Sequence, residues 1–244
     1  MLMTILSLTK KTPEKSYLLS KEWSERHNYP YYFSTEASVN LANADNLLQM
    51  MKDVDFRYVF IGIESPDNEI LKSTQKTLNV NKNIVESVKK INSYGMIVNA
   101  GFIIGFDNES DDTADNMIKF IQESGICMAM LGRLYALPNT QLTKRLREEG
   151  RLLEEGSKIR DIDTDVDQMT SGLNFKTTRA KLDILKDYVR IIEYIYNPKH
   201  YYDRIIRTGV NLRPANKYRP SITNNVKRLK AFFKLCKMVG FNNT

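Results

Sequence analysis

The stretch "YVFIGIES", residues 58–65, decides the fold. Its apolar and small residues run almost without a break, the pattern of a strand covered on both faces, and such strands belong to parallel sheets flanked by helices. Downstream, "NKNIVESVKKINSYG" (81–95) reads as an amphipathic helix ending at Gly95, a C′ glycine. A second apolar run, "MIVNAGFIIGF" (96–106), is followed by the helical "SDDTADNMIKFIQESG" (110–125), capped by Ser110 or an adjacent Asp. Then come "ICMAMLGRLYALP" (126–138), another buried strand, and a helix from about Thr140 to Glu149. Upstream, "YYFSTEAS" (31–38) is aromatic and β-prone and leads into a helix from about Asn43 through "LLQMMKDV" (47–54). Thr12-Pro13 reads as N-cap and first residue of an earlier helix to about His27, which Tyr29-Pro30 stops. Four βα units in succession imply an α/β fold with a parallel sheet and right-handed crossovers. That is half of a (β/α)8 barrel or most of a small open sheet.

Composition narrows the function classes. The 244 residues are 42% apolar and 10% aromatic, ordinary for a packed core. No window approaches the roughly 18 to 20 uncharged apolar residues of a membrane span, and "MLMTILS" lacks the basic region and cleavage site of a secretory signal. Cys127 and Cys236 stand far apart, which excludes a CxxC metal or redox motif within these residues and reads as two small buried side chains. The expected compartment is the cytoplasm. No Walker loop, GxGxxG turn or GxSxG occurs. His27 and His200 have no ligand spacing and read as structural. Asp161, Asp163, Asp165 and Asp167 alternate like a calcium loop but lack its central glycine and closing Glu.

From Gly150 the pattern changes to a polar, irregular segment, then helices over Thr177–Tyr196 and Ile222–Val239, a helical appendage. Net charge is +7, and it concentrates at the end. Between Arg204 and Thr244 there is no acid, while Arg204, Arg207, Arg213, Lys217, Arg219, Lys227, Arg228, Lys230, Lys234 and Lys237 are basic. In the last helix Ile222, Val226, Leu229, Phe232, Phe233, Cys236 and Val239 form one stripe, whose default reading is docking against the domain. The sharper reading is a membrane-surface helix. Nucleic-acid binding ranks last, because aromatic residues interleave poorly with the basic ones.

Parallel βα folds carry function where strands end. Those ends hold Thr35-Glu36-Ala37-Ser38, Gly62-Ile63-Glu64-Ser65, Gly105-Phe106-Asp107-Asn108 and Ala136-Leu137-Pro138-Asn139-Thr140. Glu36, Glu64 and Asp107 are expected to converge on one pocket suited to hydroxyl and amino groups. Gly101 and Gly105, two same-face positions of one strand, would let a flat ligand approach the backbone. Together these features suggest a nucleoside-type site.

At "YYFSTEASVNLA", "YVFIGIES", "GFIIGFD", "FIQESGI" and "ALPNTQLTKRLREEGRLL" the sequence resembles the radical S-adenosylmethionine superfamily. It looks more narrowly like the members with a cobalamin-binding domain and a C-terminal helical region of the DUF4070 type, the hopanoid C-3 methylase-like group. The motifs run in order over roughly Lys10 to Tyr202. The resemblance implies the C-terminal half of a partial (β/α) TIM-like barrel over 12–150, about four parallel βα units, followed by a helical region over 151–244. It implies S-adenosylmethionine as ligand, with a 4Fe-4S cluster and cobalamin in full-length relatives. Glu36, Glu64 and Ser65 would line the cofactor and substrate pocket. Gly101, Ile103 and Gly105 match the GxIxGxxE motif that supports the adenine, and Ala136, Leu137 and Pro138 would form the next strand edge against it. The last acid of that motif falls on Asn108, with acids beside it at Asp107 and Glu109.

The activity implied is methyl transfer or related radical chemistry on an unactivated carbon, of a small-molecule or lipid-like substrate. These residues hold no CxxxCxxC loop, first strands or cobalamin domain, so the chain alone is expected to be inactive, with a separately encoded N-terminal half as a candidate partner. A non-catalytic nucleoside-binding module or a complementing subunit is the alternative. The codons that can spell Met1–Ser7 also spell, two bases on, the Val-Asp-Asp-Asn-Phe-Ile of relatives. The leader over 1–11 is therefore expected to be an out-of-frame or vestigial reading of a strand.

Overall fold

The computed structural model describes residues 13–67, 70, 83–153, 172–215 and 222–240. The leader and the alternating aspartates at 161–167 lie outside them. Four parallel strands, β1 (Phe33–Ala37), β2 (Phe56–Glu64), β3 (Ile97–Ile104) and β4 (Ala129–Arg133), form one sheet in chain order. It is open among the described residues, as in part of a (β/α) barrel. The helices used below, among the described residues, are α1 (Pro13–Arg26), α2 (Asp45–Asp53), α3 (Ile84–Ser93), α4 (Thr113–Ser124), α5 (Gln141–Glu148), α6 (Lys181–Ile195), α7 (Pro198–Asn211) and α8 (Ile222–Gly240), with a 3-10 turn at Val39–Asn43.

Local chemistry starts and stops these helices. Asn83 accepts the Glu86 N–H (3.1 Å) at the head of α3, Thr140 the Thr143 N–H (3.3 Å) at α5, and Asn197 the Lys199 N–H (3.1 Å) at α7. Gly125 closes α4 in the left-handed region, at φ 73°. Ile84, Val88 and Ile91 of α3, and Ala114, Met117, Ile118 and Ile121 of α4, recur at helical spacing and are buried.

Strand alternation divides the sheet. Val59, Ile61 and Ile63 of β2, Val98, Ala100, Phe102 and Ile104 of β3, and Ala129 and Leu131 of β4 are buried in the core. The helices bury that face; α3 packs on the 3-10 turn, α4 and α7, while α6 packs on α4 and β4. Fully burying a side chain such as Ile61 or Phe102 stabilises the fold by about 1.5–3 kcal/mol. The opposite face carries Phe60 and Gly62, then Asn99, Gly101 and Ile103, all half-buried, and Met130, 47% exposed.

The expectation of strands covered on both faces is thus corrected. This inner face is apolar enough to mimic a buried strand, yet its residues are only half-buried or exposed. β4 is also shorter than the apolar run implied, because the chain leaves the ladder after Arg133.

Of the region after Gly150, the described residues 151–153 and 172–211 pack into the α/β body. Leu173 N–H donates to the Leu134 carbonyl (2.7 Å), Leu152 bridges to Phe175, and α7 docks on α3 and α4. α7 carries Arg204, fully buried, whose Nε donates to the Ile126 carbonyl (2.9 Å) and whose Nη1 donates to Gln122 Oε1 (2.5 Å). Thr208 donates to the Gly125 carbonyl. These donors satisfy groups at the α4 terminus that the helix itself leaves open. The docking expected of the last stripe is not seen: Val226, Leu229, Phe232, Phe233 and Cys236 are exposed, Cys236 against its expected burial. The Ile222 and Val239 side chains lie outside the described residues.

Candidate functional site

The carboxyl edge of the sheet begins at β1. Glu36 is exposed and pairs in register with Phe60, hence lies on the inner face. At the end of β2 the Ser65 N–H turns back to the Ile63 carbonyl (2.9 Å), leaving Glu64 at φ 69°. A γ-turn with its central residue at positive φ is rare and strained. Such strain concentrates at functional sites. Ser65 is buried, and its Oγ accepts the Asp67 N–H (3.1 Å).

Gly62 and Gly101 are register partners on neighbouring strands of the inner face. Two adjacent glycines leave a flat floor of backbone there. A Cβ on Gly101 would sit 3.1 Å from the Phe60 ring, so the missing side chain is what lets that ring lie beside the floor. Ile103 extends the same face toward Gly132. The sequence pointed to Gly101; its partner Gly62 emerges only from the register.

Gly105, at φ 109°, begins a turn whose N–H donates to Glu109 Oε1 (2.7 Å). Glu109 is buried, and burial above all raises its carboxyl to about 7, against the backbone donors and Arg179, which pull the other way. Its second oxygen stands 3.7 Å from Arg179 Nη1, and Arg179 Nη2 pairs with Asp187 (2.8 Å). Glu109, one place past Asn108, is thus the acid that holds the β3 turn. The motif spacing missed it by a residue.

Asp107 does not join a ligand pocket. Arg151 grips it with Nη1 to Oδ2 (2.9 Å) and Nη2 to Oδ1 (2.5 Å), Arg145 adds a contact at 3.0 Å and Thr178 a hydrogen bond at 2.8 Å. The Arg151 guanidinium, foremost, holds its carboxyl below the usual range. The expected convergence of three acids is therefore corrected, because Asp107 is consumed in fastening Arg151, Arg145 and Thr178 to the edge. Beyond β4, Asn174 accepts the Ala136 N–H (2.8 Å) and donates to the Ala136 carbonyl (3.2 Å), as a strand would. Ala136 is buried, while Leu137 and Pro138 are exposed on the rim.

No described helix is long and apolar enough to cross a membrane. Among the described residues no group of three His, Cys, Asp or Glu is placed to hold a metal. His27 stacks on Trp23 (4.4 Å) and His200 on Tyr194 (3.9 Å).

The profile of the radical SAM superfamily matches residues 7–121 and that of the domain of unknown function DUF4070 matches 140–244. Residues 7–121 belong to the radical SAM superfamily. An uncharacterized methyltransferase of Synechocystis sp. is 40% identical over 192 residues, 79% of this chain and 34% of the relative. The hopanoid C-2 methylase of Rhodopseudomonas palustris is 35% identical over 142 residues, 58% of this chain and 27% of that protein. The chain thus spans about a third of the length of its curated relatives. Among solved structures, the cobalamin-dependent S-adenosylmethionine radical enzyme OxsB aligns with a TM-score of 0.48 at 12% identity, over 82% of this chain and 37% of that one.

The three-thiolate cluster of the superfamily does not fit these residues. Cys127 is half-buried beside Thr208 and the Gly125 carbonyl, and Cys236 is exposed on α8.

Proposed function

We propose that this chain is the S-adenosylmethionine-supporting part of a cobalamin-dependent radical methylase, acting on an unactivated carbon of a lipid-like substrate. The observation that carries the reading is the Gly62–Gly101 floor beside Phe60, at the carboxyl edge of a superfamily sheet. A purine is flat and apolar on its faces, so it gains contact over bare backbone that any side chain would deny. The main chain of Ala136, Leu137 and Pro138, fixed by Asn174, offers a second wall. Glu36 and Glu64 accept hydrogen bonds from ribose hydroxyls or an amino group, which suits a cationic, hydroxylated ligand. S-adenosylmethionine, once bound, supplies the methyl group or the adenosyl radical precursor.

This chain's own part is to bind and orient that ligand; it holds no cluster, and by itself it is inactive. The cysteine count favours a second reading, a binding module or complementing subunit, which shares the ligand site.

Equilibrium dialysis of the 244-residue chain against labelled S-adenosylmethionine tests the site. Saturable binding is expected, lost in Gly101→Val, whose branched side chain fills the floor and meets Phe60. Absence of binding, or equal binding by a folded Gly101→Val, overturns it. Reconstitution with iron and sulfide should give no cluster absorption; a cluster formed on this chain would overturn the assignment of its ligands elsewhere.

A further inference from the structure

From α8 and its charge we infer that this helix docks the protein on an anionic phospholipid surface. Val226, Leu229, Phe233 and Cys236 follow one another at steps of three and four residues, with Phe232 beside them. All are exposed, Phe232 at 57% and Phe233 at 62%. Lys227, Lys230, Lys234 and Lys237 repeat the same steps one residue later and are equally exposed. A shift of one residue is about 100° of rotation on a helix. The helix therefore carries an apolar row and a lysine row side by side along its length. With the phenylalanines turned into the acyl boundary, the lysine row lies at headgroup level, its alkyl stems along the apolar zone and its ammonium groups among phosphates.

Charge and composition choose the occupant. No acid follows Asp203 to the end of the chain, so nothing in this region repels an anionic surface. A protein partner is disfavoured because lysine is depleted from protein interfaces. A nucleic acid would use the lysines but leave the row of Val, Leu and Phe in water. A bilayer alone uses both rows. α7 also exposes apolar residues at four-residue spacing, Tyr202, Ile206 and Val210.

The inference rests on no property of the S-adenosylmethionine site, so the two stand or fall separately. The test is co-sedimentation of the 244-residue chain with vesicles of phosphatidylcholine containing phosphatidylserine, against phosphatidylcholine alone, with circular dichroism as a check of folding. Binding is expected only with phosphatidylserine and should weaken with salt. At about 1 kcal/mol per lysine near an anionic surface, Lys230→Glu/Lys234→Glu should weaken it by at least about 25-fold. Phe232→Ser/Phe233→Ser, which leaves every lysine in place, should weaken it at least about tenfold through lost apolar burial. Failure of the wild-type chain to bind, or equal binding to both vesicle types, overturns the proposal. So does undiminished binding by Phe232→Ser/Phe233→Ser, which reduces the contact to charge alone. A dimer in light scattering that this variant dissolves, without vesicle binding by the wild type, assigns the face to a second copy instead.

Discussion

Replacing Glu109 by Gln tests the account of the β3 turn. Glu109 titrates at about 7 in the folded protein, against 4.5 for the free side chain. The fold therefore favours the protonated acid. Between the two values the folded state binds more protons than the unfolded one, so stability falls as pH rises and levels off above about 7. One pH unit of separation is worth 1.36 kcal/mol, so the wild type should lose about 3 kcal/mol between pH 4.5 and pH 8 from this group. Gln is neutral throughout and keeps an oxygen for the Gly105 N–H. Glu109→Gln should be close to wild type at pH 5 and more stable by about 3 kcal/mol at pH 8. Urea unfolding at intervals from pH 5 to 8 measures the difference between the two proteins directly. A difference that does not change with pH, or a variant less stable than wild type at pH 8, would refute the reasoning; Arg179 would then be holding Glu109 ionised.

Other perturbations address the remaining contacts. Arg204→Ala should destabilise by about 3–4 kcal/mol in chemical unfolding, through the cavity and the partners abandoned on α4. Arg151→Ala should cost about 1–2 kcal/mol at pH 7, since it removes a forked, partly buried contact. Because the Asp107 carboxyl lies below its ordinary range, its contribution is present above the unfolded carboxylate pKa and disappears as pH falls through the folded one. Acid titration of the wild type and Arg151→Ala should therefore converge at low pH. Gly105→Ala should lower thermal stability by several degrees, because its Cβ would come within 2.6 Å of Leu173 Cδ2 at a φ of 109°.

Much of this fold was legible in the chain, and the failures have causes. β2 and β3 stood out because their core faces are wholly apolar, Val59, Ile61 and Ile63 then Val98, Ala100, Phe102 and Ile104, and Gly95 and Gly125 marked the helix ends. β4 misled because Met128 and Met130 are as apolar as core residues while standing in solvent. α7 went unread because Asn197-Pro198 looks like a break when it is a cap and first turn. Its buried face also carries Arg204 and Thr208 in place of aliphatic residues. In the site, Glu36 and Glu64 were visible at strand ends and Gly101 as a glycine within a strand. Gly62 as a partner, Asn174 as a strand substitute and Glu109 as an anchor depend on register and on contacts across long separations, which no local pattern encodes.

The contacts of Asn174, Leu173, Arg179 and Arg204 bear on how the protein can be divided. The two matched profiles meet between residues 121 and 140, as if two modules were joined there. The folding unit ignores that seam. Cutting the chain near residue 150 would strip Ala136 of its amide partner, Asp107 of Arg151 and the α4 terminus of two donors, so the severed first part would be a damaged unit. Any recombination of homologous segments should accordingly keep Asp107, Ala136 and the α4 terminus together with Arg151, Asn174, Arg204 and Thr208.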